Sequence, residues 1–312
     1  MVIFCLFVIF NASAYSIDVN MSPEQAFKVG QQLERQFKDS QALGCLKYAA
    51  DEGVAESAFL YGMMRRNAVS VEREQTESLA YLQQAAKQGY LPAMKWMMEH
   101  SSHPESWRRH YYKALIELGR RSPEKAFYGL ADYYRPSDTE RYEFYLTQAV
   151  ERDHPEALIE QATRLSRGEG GYLVPSVRLE RVEQLLLRAA QTHHVAAMRT
   201  YIHWLEEKRR YREAFHWRQE ALKEGDILEL AELGFIYANP RPNYSFIQRD
   251  YSKSNLLLNK YINSAGEDRF QSIYRKVQSV YLKNIEICQD DVQLCRRSDD
   301  ELSKALNKTF LY

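Results

Sequence analysis

Small apolar residues recur along this chain at fixed offsets between polar stretches, the spacing that close helix crossings require. The plainest instance is residues 195–234. Ala197 opens one predicted helix, and a second runs from Tyr211 and is closed by Gly225 as a glycine just past a helix end. A second copy spans Ser57 to Gly89, with Leu60-Tyr61-Gly62 on its first helix and Leu79-Ala80-Tyr81-Leu82 followed by Ala85-Ala86 on its second. Residues 22–53 repeat the second-helix pattern in Leu43-Gly44-Cys45-Leu46 and Ala49-Ala50, ending at Gly53. The positions that open successive first helices are Ser57, Ala93, Ala126, Ala157, Ala197 and Glu229, spaced by roughly 31 to 40 residues, which is two short helices plus two turns. Ser22-Pro23 and Ser122-Pro123 each predict a helix start with a serine N-cap and proline at the first helical position.

These residues resemble the Sel-1-like repeat family, a relative of the tetratricopeptide repeat with units A-x-x-x-L-G-x-x-Y followed by K-A-x-x-W-Y-x-x-A-A-x-x-G. The resemblance covers approximately residues 22–265. It is diluted in the middle, where Met98, Ala131, Ala162 and Ile202 replace the preferred glycine and the third unit lacks the double alanine. It implies an all-α fold, a right-handed α-α superhelix of about seven helix pairs over residues 15–267, with a C-terminal helical cap over 268–312 where the periodicity weakens. It also implies that first helices line a concave groove. By the phase of the repeat, Arg66, Lys95, Glu99, Tyr128, Asp132, Arg135, Arg199, His203 and Glu206 then face that groove, a set of mixed charge suited to a protein or peptide. The family implies scaffolding more often than catalysis, so the expectation is a non-enzymatic binding protein in an adaptor or immunity-type role. A cell-wall-directed enzyme of the cysteine-stapled class, or a purely structural periplasmic protein, are the other readings.

Composition narrows the partner. Lys plus Arg equals Asp plus Glu at 42 each, which gives no reason to expect nucleic acid or an anionic membrane surface. Residues 1–10 are an apolar run too short for a hydrocarbon core of roughly 30 Å, and they lead into Ala12-Ser13-Ala14, an A-x-A signature. Cleavage after Ala14 would send the mature chain, without an integral membrane segment, to the periplasm or outside the cell. No Lys or Arg precedes the run.

Cys288 and Cys295 fit a short disulfide loop in an oxidising compartment. On one continuous helix a seven-residue offset is about 10.5 Å, beyond the Cα limit of about 7 Å, so the bond requires a turn, for which Asp290-Asp291 is suited. Two free thiols in a reducing compartment are the alternative. Cys45 falls where the neighbouring units carry Tyr81 and Trp217, a core position. His100-x-x-His103 and His193-His194 lack further ligands at a metal-binding spacing, and no phosphate-binding or nucleophile motif is present, so no metal or cofactor is expected. Two irregular stretches interrupt the repeat, the Gly-rich turn at 166–176 and a proline-punctuated loop at 239–252 whose aromatics look exposed.

Overall fold

A computed structural model describes residues 21–68, 72–171, 174–291, 295 and 300–310. The apolar run at 1–10 and the A-x-A signature lie outside them. The described residues form sixteen α-helices, one 3-10 turn and no strand, and none of these helices is long and apolar enough to cross a membrane. They divide into two compact units, one ending at Ala93 and the other beginning at Met94.

The first unit holds two helix hairpins, α1 (Pro23–Arg35) with α2 (Asp39–Asp51), and α3 (Ala55–Ala68) with α4 (Glu72–Lys87). The second unit continues with α5 (Leu91–His100), in which the division falls, α6 (Pro104–Leu118), α7 (Pro123–Tyr134), α8 (Thr139–Glu151), α9 (Pro155–Ser166), α10 (Pro175–Gln191), α11 (Val195–Glu207), α12 (Tyr211–Lys223), α13 (Ile227–Ala238) and α14 (Tyr251–Ser264). Here α7–α8, α9–α10, α11–α12 and α13–α14 pack as hairpins, and each second helix also meets the next first helix. The third pair, α5–α6, lacks that close approach; α6 packs on α7 instead. The third unit is therefore the irregular one.

In three of the hairpins a glycine sets the spacing. A Cβ added to Gly30 would stand 2.7 Å from Leu46 Cγ, one on Gly62 2.9 Å from Leu82 Cγ, and one on Gly234 2.4 Å from Leu258 Cδ2. All three leucines are fully buried. The serines one turn before two of these leucines complete the crossing, Ser78 Oγ donating to the Gly62 carbonyl at 2.7 Å and Ser254 Oγ to that of Gly234 at 2.8 Å. An aromatic pair adds to the seam in two units: Tyr61 meets Tyr81 edge-on at 4.8 Å and Tyr201 meets Trp217 at 5.6 Å. Cys45, at the matching position of the first hairpin, is buried among Leu33, Ala42 and Tyr61, and burial raises its thiol pKa, as suits a small core residue.

Second helices end in a common turn. Gly53, Gly89, Asp153, His193 and Gly225 each take a positive φ and donate to a carbonyl three residues back, closing the helix end. The residue before the double alanine then reaches back one hairpin: Gln84 donates to the Ala50 carbonyl, and Arg188 to that of Val150, both at 2.7 Å. These bonds add a second donor to helix-end carbonyls that the turn itself already engages, and tie one hairpin to the next. At the other end, Ser22 forms the reciprocal cap expected of it with Gln25, whereas Ser122 occupies the N-cap position without a side-chain hydrogen bond.

At the carboxyl end α15 (Gln271–Asp290) packs on α13 and α14, and α16 (Asp300–Thr309) returns to α12 with Leu306 and Phe310 buried. Helix α15 stops at Asp290, Asp291 turns extended, and Cys288 and Cys295 are joined with Cα atoms 5.6 Å apart. The turn that the spacing demanded is present.

Two outcomes test these contacts. Gly44 sits in α2 with nothing within 4 Å of an added Cβ, so Gly44→Ala should raise stability by about 0.5–1 kcal/mol. Gly234→Ala gains the same helix propensity but meets Leu258, and overpacking at about 1–3 kcal/mol should dominate; chemical denaturation of both variants should shift the midpoint in opposite directions. Cys288→Ser should lower stability by about 2–3 kcal/mol by loop closure, and hydrogen exchange should show faster exchange in α16 than in α11.

Candidate functional site

The residues assigned to the groove belong to first helices, and in the second unit the structure links most of them into ion-pair networks running from one first helix to the next. Lys95 on α5 pairs with Asp132 on α7 at 2.6 Å, and Glu99 lies 3.9 Å from Lys95. Arg135, just past α7, lies 3.4 Å from Asp132 and donates to both oxygens of Glu160 on α9, at 2.6 and 2.8 Å. Tyr128 donates to the same carboxylate at 3.3 Å, stacks on His154, and is joined there by the Tyr142 hydroxyl. Burial alone would raise the Glu160 carboxyl, but bonds from Arg135, Tyr142 and Tyr128 overcome it and hold the group below its ordinary value. Tyr128 and Arg135 thus stand as members of a closed network. Arg66 belongs to the first unit, exposed near the end of α3.

Around α11 the arrangement is more open. Arg199 pairs with Asp226, the fully buried N-cap of α13. Arg218 on α12, itself buried, contacts Glu206 on α11 at 2.7 Å and both oxygens of Glu229 on α13 at 2.8 and 2.9 Å. Tyr244, from the 3-10 turn Pro242–Tyr244, also donates to Glu206. That tyrosine corrects the reading of the 239–252 loop. Its ring is buried beside Phe215 and Phe246, because its hydroxyl finds the Glu206 carboxylate inside the fold. Against this background His203 remains exposed, between two cavities. One, of about 340 Å³, is lined by Arg199, His203, Glu206, Glu229 and Ile273 of α15 among others. The other, of about 300 Å³, lies between α9 and α11 and includes Thr163, Thr200, His203, Trp204 and Glu207.

Two of the histidines weighed as metal ligands have structural partners. His100 stacks on Trp96, and His193 meets Glu224 at 2.9 Å from the left-handed turn position that other units give to glycine.

No family model and no curated protein sequence matches the chain. Among solved structures, a protective antigen of uropathogenic Escherichia coli displaying an SLR fold is 16% identical, with 93% of this chain and 62% of that one covered and a TM-score of 0.43. The chain therefore spans less than two thirds of that protein. A Sel1 repeat protein from Oxalobacter formigenes is 16% identical over 86% of this chain and 91% of its own, with a TM-score of 0.36. An immunity protein from Pseudomonas aeruginosa is 14% identical over 86% and 84%, with a TM-score of 0.41. In fold, the chain is similar to Sel-1-like repeat proteins. The helix-pair order and the glycine crossings are features this chain carries itself.

The phase of the repeat named Arg199, His203 and Glu206, which line one cavity, but missed Glu160, Arg218 and Glu229. Glu229 had left a signal, since it stands at a position where other units carry Ser or Ala. Burial pushes its carboxyl up to about 7, against the opposing pull of Arg218. A group whose folded pKa is raised contributes stability fully below its unfolded value and loses it as pH climbs through the folded one. Here that window runs from 4.5 to about 7. Glu229→Gln removes this loss, so the melting temperature at pH 8 minus that at pH 5 should be more positive in the variant than in the wild type; calorimetry at both pH values decides it.

Proposed function

We propose that the chain is an exported helix-pair scaffold that binds a protein or peptide along the groove of its first helices, in an adaptor or immunity-type role. The observation that carries this reading is the pair of cavities meeting at exposed His203, on a face where Lys95 pairs with Asp132, Arg135 with Glu160 and Arg218 with Glu206. A surface held by such networks is preformed, so a partner orders few side chains on binding. The groove's mixed charge favours a partner with both signs over a uniformly charged polymer. Loop 239–252 supports this face from beneath through Tyr244 rather than contributing aromatics to it.

Export rests on the A-x-A signature at residues 12–14, which places cleavage after Ala14, and the Cys288–Cys295 pairing is the chemistry of an oxidising compartment. The enzymatic alternative needs two carboxylates free to exchange protons with a substrate. Glu206 and Glu229 do converge, but Arg218 engages both oxygens of Glu229 and one of Glu206, an arrangement that fits recognition better than acid–base work.

Crosslinking and co-purification from the native envelope tests the reading. His203→Glu combined with Thr200→Arg should lose a partner that the wild type and Phe144→Ser, an exposed change on α8, both retain. Equal recovery by all three would discard the groove.

A further inference from the structure

The cavity between α11 and α13 carries more carboxylate than its arginines can balance. Arg199 is matched by Asp226, and Arg241 lies 3.4 Å from Glu232. Arg218 is left to serve Glu206 and Glu229 together, so three guanidinium groups face four carboxylates. The deficit has a definite location. Every hydrogen bond that Glu206 receives from the described residues, from Tyr244 and from two nitrogens of Arg218, goes to Oε1. Its Oε2 accepts none, while the side chain lines the cavity and is a quarter exposed. Nearby, the apolar side chains of Ile202, Leu228 and Ile273 could cover the aliphatic stem of a long side chain.

We infer that this cavity is a subsite for a cationic side chain, Lys or Arg, of the bound partner, with Glu206 Oε2 as its acceptor. The inference rests on the groove reading above and specifies what the partner presents there. An anionic guest is the wrong class, because each arginine in the cavity already holds a carboxylate. A guanidinium or ammonium entering beside Glu206 would supply the missing positive charge and satisfy an idle acceptor at once.

The same balance makes the subsite sensitive to pH. The groups facing Glu229 are Arg218 from α12, Asp226 and Glu232 from α13, and Arg199, His203 and Glu206 from α11, with Arg241 and Tyr244 from the following loop. Glu229 sheds its proton only near pH 7, so the surplus negative charge is complete above that pH and a cation should bind more tightly there.

The test uses the whole mature chain with N-acetyl-arginine amide and its neutral isostere N-acetyl-citrulline amide, at constant ionic strength, followed by amide chemical shifts. Expected are saturable shifts in α11 and α13 with the arginine probe alone, tightening from pH 6 to pH 8, and about tenfold weakening in Glu206→Gln, the loss of one hydrogen bond to a charged group. Glu229→Gln should flatten the pH dependence. Equal response to the citrulline probe, absence of saturation, or unchanged affinity in Glu206→Gln would overturn the subsite. These outcomes are separate from the envelope capture: if the partner depends on His203 while the arginine probe fails, the groove stands and the subsite falls.

Discussion

The fold depends on how near a first helix can come to its own second helix. Where glycine faces a buried leucine, at Gly30 and Leu46, Gly62 and Leu82, and Gly234 and Leu258, the leucine occupies the space a Cβ would take. That contact removes a full leucine side chain from water, of order 1.5–3 kcal/mol each. It also brings the helix backbones close enough for Ser78 and Ser254 to bond the glycine carbonyls. In the second hairpin the Tyr61–Tyr81 pair and the reach of Gln84 to the preceding hairpin accompany that spacing; in α9–α12 the Tyr201–Trp217 pair and the reach of Arg188 occur where alanine or isoleucine replaces the glycine. The α5–α6 pair lacks that approach, and α6 is held by α7 instead, where a Cβ added to Gly129 would stand 2.4 Å from the buried Leu115.

Stacking first helices side by side brings their outward charged residues within bonding distance, and the chain resolves this in two ways. From α5 to α9 the charges close on one another through Asp132, Arg135 and Glu160. From α11 to α13 they close incompletely, because one buried guanidinium is shared by two carboxylates and His203 is left facing solvent. The first arrangement stiffens the face. The second leaves a place where another molecule's charge is wanted.

Periodicity made the helix pairs legible because the residues that set the spacing are small and the turns use glycine, both visible without coordinates. Cys45 in the core and the turn between Cys288 and Cys295 followed from the same logic of position and reach. The charged network was harder to see. That Lys95, Asp132 and Arg135 pair with one another is seen only in the structure; phase alone says which residues share a helix face. It could not identify Glu160, one position off the assumed phase, or Arg218, which reaches the face from a second helix. Tyr244 was misjudged for a related reason: proline-rich context suggests an exposed loop, while the tyrosine's buried hydroxyl partner lies nearly forty positions earlier in the chain.

The left-handed turns hold a final consequence. Where Gly53, Gly89 and Gly225 take the strained backbone freely, Asp153 and His193 take it with a side chain, at a cost of roughly 1 kcal/mol or more. Both use that side chain as a tie, Asp153 to Arg188 at 2.8 Å and His193 to Glu224 at 2.9 Å. Relief of strain and loss of the tie are of similar size, so glycine and non-glycine are nearly interchangeable there by free energy while differing in how firmly one turn is coupled to the next. Such sites let a repeat array drift in sequence and adjust its compliance along one edge without surrendering its fold.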